Sequence, residues 1–585
     1  MKKTLFLSAI AVLSLCGCQK STKLTPVNFE NVKIEGELAQ RIARNFDRLE
    51  TPLYQPAQVY WTEQQSGGWP ADKEGRTILA LVLDARASSR TPLYLDSLIT
   101  MLPEHLNEQG YLGTIHKSVD EQQLSGHGWL LRGLCEYYEW KGDKSVLKIA
   151  DGIVNNLFLP ITNHVDTYPI KPDERKKNVG EMSGATLATI NGWRLSSDIG
   201  CVFIGMDGLI HYYKHNRKPE IKTLIDKLIN LYLSIDLVGI QAQTHASLTA
   251  LRGIIRYADI TNDYSLLPEV EKRWQLYKNF GMTENNENYN WFARYDTWTE
   301  PCAVVDSYMV AVHLWQATRN PQYLADAEQI YYNGICVEQR SNGGFGCDKP
   351  VGHVHNHISI NADEAHWCCT MRGGEGLARV AEYAYFTAAD TIFVPFFHAS
   401  KLSLSNRNIT LTQKSDYPFG NNVEFIFEQA PDCPITLAII SPAGTNINAI
   451  ELNGNEITPE NQNGFMIFNR QFAPNDKLTI AYTPVANIIS ATCDSTRLKA
   501  TYGPLTLAAS SGCTHIILTA DATLRPTNTP TEFTVTTHNI LPSDSTQITL
   551  TPLYHLLSPE VHSSASYHRQ VLFQSKKFEN TNTIE

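Results

Sequence analysis

The spacing of apolar residues predicts helices over the first two thirds of the chain. In the segment 126–143, GHGWLLRGLCEYYEWKGD, residues Trp129, Leu130, Leu134 and Tyr137 recur at the three- and four-residue spacing of one helix face. Three later segments, MDGLIHYYK, SLTALRGIIRY and SYMVAVHLWQ, repeat this pattern. Each is followed by a polar turn and then by a second apolar segment. The region from about residue 35 to 387 is therefore predicted to consist of helical hairpins.

Repeated hairpins stack on one another, because a single hairpin cannot bury its own apolar face. In an exported chain of this size they can close into an α/α toroid, a barrel of six hairpins, which we predict for residues 30–388. An open solenoid is the structural alternative.

The pattern changes after Asp390 to short runs that alternate apolar and polar residues. Examples are NVEFIFEQ, ITLAIISP and KLTIAYTP, which are separated by Pro, Gly and Asn. This pattern predicts one or two β-sandwich domains over residues 389–578, and hence a multi-domain α + β protein. Three roles stay open for the β region: packing on the toroid, binding glycan, or mediating a homodimer.

The first eighteen residues have the pattern of a lipoprotein signal peptide. Lys2 and Lys3 precede a short apolar run, which ends in Leu-Cys-Gly-Cys at residues 15–18. Cleavage before Cys18 and lipidation of its thiol would anchor an exported protein to a bacterial membrane, in the periplasm or at the outer-membrane surface. A plain signal peptide with two incidental cysteines is the alternative.

Composition and charge exclude two classes of protein. The 585 residues are 43 % hydrophobic, which is too high for a disordered chain. The net charge of -11 argues against a nucleic-acid partner, because phosphate binding needs a basic surface. Aromatic residues make up 10 % of the chain, which suits both sugar stacking and ordinary core packing.

Candidate chemistry concentrates in TWTEPCAVVDSYM (297–309) and HWCCTMRGGEGLARV (366–380). Glu300, Cys302, Cys368 and Cys369 would give three thiolates and one carboxylate, a donor set suited to zinc. The adjacent Cys368 and Cys369 do not easily form a disulfide with each other. Spacing alone leaves both a metal site and buried structural cysteines open.

These motifs resemble the β-L-arabinofuranosidases of glycoside hydrolase family 127, which carry Glu-x-Cys followed much later by Cys-Cys. The resemblance extends to GYLGT (110–114), THASLTALRGIIRYADIT (244–261), LTQKSDYP (411–418) and YGPLTLA (502–508). It implies Zn²⁺ bound by Glu300, Cys302, Cys368 and Cys369, with Cys368 as nucleophile. A thiolate attack would form a thioglycosyl intermediate, and water would release the sugar with retained configuration.

The resemblance also implies a general acid and sugar-binding residues. The acid would be a Glu upstream of Glu300, either Glu287, which better fits a Glu-x-aromatic pattern, or Glu284, which better fits the distance. His127 and His245 match histidines of the sugar pocket. A third pocket histidine is missing near residues 196–208, where Ser197 or Asp198 would replace it. His366 and Trp298 are further candidates for substrate contact.

The predicted function is therefore an exported glycosidase that releases β-linked L-arabinofuranose or a related L-sugar from plant cell-wall glycans. An acidic or branched L-sugar of pectin side chains is the alternative substrate. Another α/α-toroid carbohydrate enzyme would leave the three cysteines without purpose. A non-catalytic glycan-binding lipoprotein would be expected to lack the acid and the nucleophile.

Overall fold

The computed structural model describes residues 23–61, 68–175, 183–360, 362–510, 516–519, 522–539, 545–556 and 567–576. The predicted signal peptide and Cys18 lie outside these ranges. No helix among the described residues is long and apolar enough to cross a bilayer.

Within these ranges the helical region contains twelve helices of nine or more residues. They are α1 Gly36–Leu49, α2 Asp72–Ser88, α3 Leu95–His105, α4 Glu121–Lys141, α5 Lys144–Ile153, α6 Val202–Tyr213, α7 Pro219–Ser234, α8 Thr244–Thr261, α9 Leu267–Phe280, α10 Pro301–Thr318, α11 Gln322–Ile330 and α12 Cys369–Glu382. Short helices span Pro56–Val59, Cys336–Glu338 and Leu553–Leu556.

The six even-numbered helices form a closed inner ring. Each packs on the next in the order α2, α4, α6, α8, α10, α12, and α12 returns to α2. The odd-numbered helices pack outside this ring, each against a neighbour in sequence. The predicted helical toroid followed by a β-rich region is confirmed.

Local sequence explains why inner and outer helices differ. The outer helix α7 buries Ile221, Leu224, Ile225 and Leu228 on one face and exposes the other, and a proline occupies its first turn. The inner helix α6 is buried along its whole length and is mostly apolar, and its polar residues Asp207 and His211 are buried as well. Close approach between inner helices needs glycine: a Cβ at Gly208 would lie 2.2 Å from the carbonyl oxygen of Gly128 on α4.

A buried network of ion pairs fills the centre of the ring. Arg252 of α8 lies 2.6 Å from Asp207 of α6 and 2.9 Å from Asp306 of α10. Three arginines and three acids from five inner helices form the centre of this network: Arg132, Arg252, Arg372, Asp207, Asp306 and Glu375. The indole of Trp129 lies beneath the guanidinium groups of Arg132, Arg252 and Arg372.

Two sheets follow the toroid as the first β region. One has seven strands in the order Asn455–Glu456, Thr445–Leu452, Lys477–Pro484, Asn422–Gln429, Ile409–Ser415, Ser400–Leu404 and Val32–Ile34. The other has six, in the order Thr25–Pro26, Phe386–Ala388, Thr391–Val394, Ile435–Ile440, Phe465–Arg470 and Glu460–Gln462. In the strand Asn422–Gln429, Val423, Phe425 and Phe427 alternate inward, as the sequence pattern predicts.

A further sheet forms the second β region. Its strands are Ala486–Ser490, Arg497–Tyr502, Leu505–Ala509, Ser545–Pro552, Phe533–Asn539, Ile516–Thr519 and Leu572–Lys576, with Arg525–Pro526 paired to Phe533–Asn539. A small ladder joins Tyr567–Gln570 to His357–Ile360 of the helical region. Val119–Asp120, Trp193–Ser196 and Thr186–Ile190 form a three-stranded sheet beside the toroid.

The two sheets of the first β region receive strands from distant parts of the sequence. Thr25–Pro26 and Val32–Ile34, which precede the first helix, each complete an edge of one sheet. Pairing across more than 350 residues leaves no local signal in the sequence, so the helical pattern alone could not indicate it. These pairings attach the start of the chain to the β region.

Candidate active site

The candidate site lies where the inner helices begin. Glu300 and Cys368 occupy the positions immediately before α10 and α12, while Cys302 and Cys369 lie in the first turns of these helices. Because inner helices of the ring start at the same mouth of the toroid, residues distant in sequence meet there. Helix N-termini carry partial positive charge, which favours thiolate and carboxylate groups.

The three predicted thiols form one cluster. The sulfur of Cys369 is 3.7 Å from that of Cys302 and 3.2 Å from that of Cys368. The sulfurs of Cys302, Cys368 and Cys369 all lie within 4.8 Å of one another, and so do ligand atoms of His245, Glu300 and Cys302. The two groups share Cys302, so thiols and carboxylate are close enough to hold a metal ion.

The thiols are not equivalent. Cys302 and Cys369 are buried, whereas Cys368 is half-buried and lines the adjacent cavity. Hydrogen bonds from Cys302 and Cys369 lower the pKa of Cys368, and the same contacts with Cys302, Cys347 and Cys368 raise the pKa of Cys369. Of these two thiols, Cys368 is therefore the one that ionises more readily.

Arg76 supplies positive charge behind the cluster. Its guanidinium donates to the sulfur of Cys302 at 3.3 Å and is held by Asp72 at 2.9 Å, one helical turn earlier on α2. An adjacent guanidinium stabilises a thiolate. The i,i+4 spacing of Asp72 and Arg76 fixes the direction of the arginine side chain.

The Glu300 carboxylate is oriented by neighbouring polar groups. One oxygen lies 3.1 Å from Nδ1 of His245, and the other accepts from Nε2 of Gln243 at 3.1 Å. The main-chain amide of Glu300 donates to Oδ1 of Asn288 at 3.0 Å. This arrangement fixes the carboxylate before any ligand arrives.

The cluster opens onto a cavity of about 510 Å³, within the size range of small-ligand sites. Trp69, Trp298 and Trp367 line it together with polar groups that include Lys73, Ser183, Asp198 and Gln243. Trp367 is 55 % exposed, so its ring is accessible to a ligand. Flat aromatic surfaces beside convergent polar groups suit a sugar.

Among the described residues that line this cavity, Asp198 is the carboxylic acid that neither pairs with Arg76 nor belongs to the cluster. Its side chain accepts from Ser183 Oγ at 3.0 Å and from the Gly184 amide at 3.2 Å. Burial, followed by the charge of Glu300, raises the pKa of Asp198 to about 7. A carboxyl group in such surroundings can hold a proton near neutral pH.

Comparisons with known proteins agree with this arrangement. The model of the β-L-arabinofuranosidase GH127 catalytic domain matches residues 35–382, and that of the GH127 middle domain matches residues 391–483. The chain belongs to glycoside hydrolase family 127. It is accordingly a glycoside hydrolase.

Solved structures share the fold of this GH127 chain. A GH127 β-arabinofuranosidase has a TM-score of 0.71 at 14 % identity, over 94 % of this chain and 98 % of that one. The GH127 β-L-arabinofuranosidase from Geobacillus stearothermophilus T6 has 0.69 at 13 % identity, over 93 % and 100 % of the two chains. A structure described as a glycoside hydrolase has 0.68 at 14 % identity, over 94 % and 98 %. The comparison with curated proteins found no match.

The structure does not bring either predicted acid of this GH127 chain to the cavity. Glu284 points to the second β region, where it accepts from Nζ of Lys499 at 3.1 Å and from the Cys493 amide. Glu287 is fully buried and contributes nothing to the cavity lining. Glu284 fits the distance to Glu300 and Glu287 fits the Glu-x-aromatic pattern, but the irregular loop that carries them turns both side chains away from the cavity.

The two predicted histidines have different positions. His245 lies at the cavity beside Glu300, with its ring stacked on Trp129. His127 is buried away from the cavity lining, and both ring nitrogens bond to main chain, Nε2 accepting from the Leu112 amide and Nδ1 donating to the Gln123 carbonyl. The structure thus places His127 outside the cavity lining, where it holds the GYLGT segment in place, and its contact with sugar stays a prediction.

Of the other residues predicted to bind substrate, two line the cavity and one does not. Trp298 and Asp198 line the cavity. His366 is half-buried and packs edge-on against Trp367, but its ring is not part of the lining. A role for His366 would therefore be to hold Trp367 rather than to touch substrate.

Sequence reasoning missed several lining residues. Cys347 lies at the cavity and near Cys369, yet its GGFGCDKP segment resembles neither cysteine motif. Gln243 precedes His245 by two residues, and this proximity could have suggested that Gln243 also lines the cavity. Trp69 precedes α2 and Arg76 lies near the start of that helix, and neither belongs to a recognised motif.

Proposed function

We propose that this chain is a retaining glycosidase that uses Cys368 as its nucleophile and releases β-linked L-arabinofuranose or a related L-sugar from plant cell-wall glycans. One observation carries the proposal. A cluster of three thiols and a carboxylate opens onto a tryptophan-lined cavity, and Cys368 is the cluster thiol that is only half-buried there.

The donor set fits a zinc ion. Tetrahedral zinc–thiolate bonds of about 2.3 Å place neighbouring sulfurs roughly 3.8 Å apart. The Cys302–Cys369 separation of 3.7 Å is close to this value, and the Cys368–Cys369 separation of 3.2 Å needs only a small adjustment. Glu300, Cys302, Cys368 and Cys369 would be the ligands. A bound Zn²⁺ would remove the thiol proton and restrict the motion of the Cys368 sulfur.

Cys368 then carries the covalent step. Its thiolate forms a C–S bond to the anomeric carbon as the bond from that carbon to the leaving oxygen breaks. Water later attacks the same carbon and restores the thiolate, and two inversions retain configuration. Arg76, bonded to Cys302, keeps positive charge near the sulfurs when Cys368 leaves as a thiolate.

We infer that Asp198 takes the acid role that the sequence assigned to Glu287 or Glu284. Its position in the cavity and its raised pKa of about 7 support this role. Protonated Asp198 would donate to the leaving oxygen, and the resulting carboxylate would accept a proton from the attacking water. Ser183 and the Gly184 amide orient it for both steps.

One observation favours the alternative substrate, an acidic L-sugar. Lys73 lines the cavity, and within the described residues its ammonium donates to the main-chain oxygens of Leu53 and Gln58 rather than to a carboxylate. A sugar carboxylate could pair with it. Side-by-side hydrolysis of a β-L-arabinofuranoside and of pectic side-chain oligosaccharides separates the two substrates.

We further propose that the protein is anchored through a lipid on Cys18. The Leu-Cys-Gly-Cys sequence at residues 15–18 supports this proposal. Mass spectrometry of the membrane-extracted protein should show a mature chain that begins with diacylated Cys18. A water-soluble mature chain with an unmodified Cys18 would contradict it.

The decisive experiment follows the stereochemistry and the covalent intermediate. Proton NMR of early turnover should show the β-anomer of the released sugar. Mass spectrometry of rapidly quenched enzyme should place one glycosyl group on the peptide containing Cys368. An inverted first product, or a label on another residue, would overturn the mechanism.

A further inference from the structure

A second group of potential metal ligands lies outside the catalytic cluster. Cys135 and Glu139 are one turn apart near the end of α4, and His211 and His215 are one turn apart at the end of α6 and just beyond it. One ligand atom from each of Cys135, His211 and His215 lies within 4.8 Å of the others. Two adjacent inner helices therefore each present a pair of donors.

Glu139 completes the group. Its Oε1 accepts from Nε2 of His211 at 3.0 Å and from Nε2 of His215 at 2.9 Å. A tetrahedral zinc site, with bonds of about 2.0–2.1 Å to nitrogen and oxygen, has ligand atoms roughly 3.3 Å apart. An ion could enter between these groups if each moved by a few tenths of an ångström and each neutral imidazole turned its unprotonated nitrogen to the ion, keeping its proton on the other ring nitrogen.

We propose that Cys135, Glu139, His211 and His215 form a structural site for a zinc-type divalent ion. Cysteine, imidazole and carboxylate are ligands that zinc takes in tetrahedral sites. Binding would release the thiol proton of Cys135, while each neutral imidazole would keep its one proton on the ring nitrogen that does not bind the ion. The ion would tie α4 to α6.

Burial and exposure suit such a site. Cys135 and His211 are 0 % and 1 % exposed, and Nδ1 of His211 has no hydrogen-bond partner among the described residues. The side chains of His215 and Glu139 are 13 % and 24 % exposed, which leaves a path for the ion. Two ligands are thus held rigidly and two can adjust.

The charged side chains around the proposed site leave room for a bound cation, because the neighbouring positive charges are paired or can move away. Lys214 pairs with Glu139 at 2.9 Å, but its side chain is 49 % exposed and can turn into solvent. Arg256 is held by Asp207 at 3.2 Å, and Glu136 by Arg379. Lys214 is therefore the cation that an incoming ion would displace.

The location separates this site from the catalytic one. The catalytic ligands lie at the N-terminal ends of inner helices, whereas Cys135 lies fourteen residues after the start of α4, about 21 Å along the helix. Loss of an ion here should leave catalysis intact and loosen the opposite end of the ring.

The test measures zinc bound per chain after equilibrium dialysis of the intact protein at micromolar zinc. His215→Ala and Cys135→Ser should each bind one equivalent fewer than the unaltered chain and keep its glycosidase activity. Lys214→Ala should bind at least as tightly as the unaltered chain, and His164→Ala, on the exposed surface, should match it. Cys302→Ser should keep the equivalent assigned here, whatever happens at the catalytic cluster.

Cobalt gives a readout independent of activity. Titration with Co²⁺ should produce a sulfur-to-cobalt charge-transfer absorption that is partly lost in Cys135→Ser. Equal zinc stoichiometry in the unaltered chain, His215→Ala and Cys135→Ser would overturn the proposal and identify Glu139 as the centre of a hydrogen-bonded cluster only.

Discussion

His245 holds Glu300 at the mouth of the toroid, with 3.1 Å between its Nδ1 and the carboxylate oxygen. The other nitrogen lies 3.5 Å from Asp306, which pairs with Arg252 and Arg372 in the buried ion network. The carboxylate of the candidate metal site is therefore connected through one imidazole to the centre of the ring.

This contact predicts that His245→Ala weakens metal binding. Loss of the group that orients a ligand typically costs about 10–100-fold in metal affinity. Competition with a zinc chelator would measure the change, and His245→Gln should recover part of the loss because an amide can still donate to Glu300. Unchanged affinity in His245→Ala would mean that Glu300 needs no such support or does not bind the ion.

The nucleophile assignment predicts that Cys368→Ser loses activity by at least about 10³-fold, since a serine hydroxyl is far less ionised than a thiol. Initial rates on a synthetic β-L-arabinofuranoside measure this loss. Cys433→Ser provides the matched control, because Cys433 is an exposed thiol in the first β sandwich and should have no effect. Full activity of Cys368→Ser would remove Cys368 from the mechanism.

The proposed acid predicts a leaving-group effect. Asp198→Asn should lower kcat/KM by about 10²–10⁴-fold on a poor leaving group and much less on an activated aryl glycoside, which leaves without protonation. Glu284→Gln and Glu287→Gln are the controls for the two carboxylates chosen from sequence. If Glu284→Gln or Glu287→Gln lost more kcat/KM on the poor leaving group than Asp198→Asn does, that glutamate would be the acid, as predicted from sequence.

The same residue predicts a pH dependence. Burial and the charge of Glu300 raise the pKa of Asp198 to about 7, with a smaller contribution from Glu121. Because an acid must be protonated to donate, kcat/KM should fall as pH rises through about 7, and this alkaline limb should disappear in Asp198→Asn. If kcat/KM of Asp198→Asn still fell with the same midpoint, another group would be responsible for the alkaline limb.

The ion network predicts a large stability effect at Asp207. Asp207→Asn leaves Arg132 and Arg252 without one of their buried partners, and breaking a buried pair costs about 3–5 kcal/mol. The midpoint of thermal unfolding should fall clearly. Asp166→Asn is the control: Asp166 pairs with Lys227 at 3.0 Å, but its side chain is 76 % exposed, so the midpoint should scarcely move.

The exposed indole of Trp367 predicts a binding effect. Trp367→Ala should raise KM several-fold with little change in kcat, since stacked rings contribute about 0.5–1.5 kcal/mol. Trp140→Ala, at the far end of α4 from the cavity, is the matched control. Equal KM values for the two variants would exclude substrate stacking on Trp367.

Much of the architecture was determined by the sequence itself. Helical periodicity and the change to alternation after Asp390 predicted the helical toroid and the β-rich region, because both patterns reflect burial of one face of a local element. The Glu-x-Cys and Cys-Cys motifs likewise identified the family and four candidate metal ligands. These four residues lie at the starts of α10 and α12.

Only the tertiary structure decided which distant groups share the cavity. Glu284 had a suitable distance from Glu300 and Glu287 a suitable motif, yet an irregular loop directs both elsewhere, whereas Asp198 reaches the cavity from the segment before α6. His127 carried a family motif but bonds to main chain, and Cys347 carried none but lies beside Cys369. Periodicity encodes which face of an element is buried, but the direction of a loop side chain depends on every element packed around it.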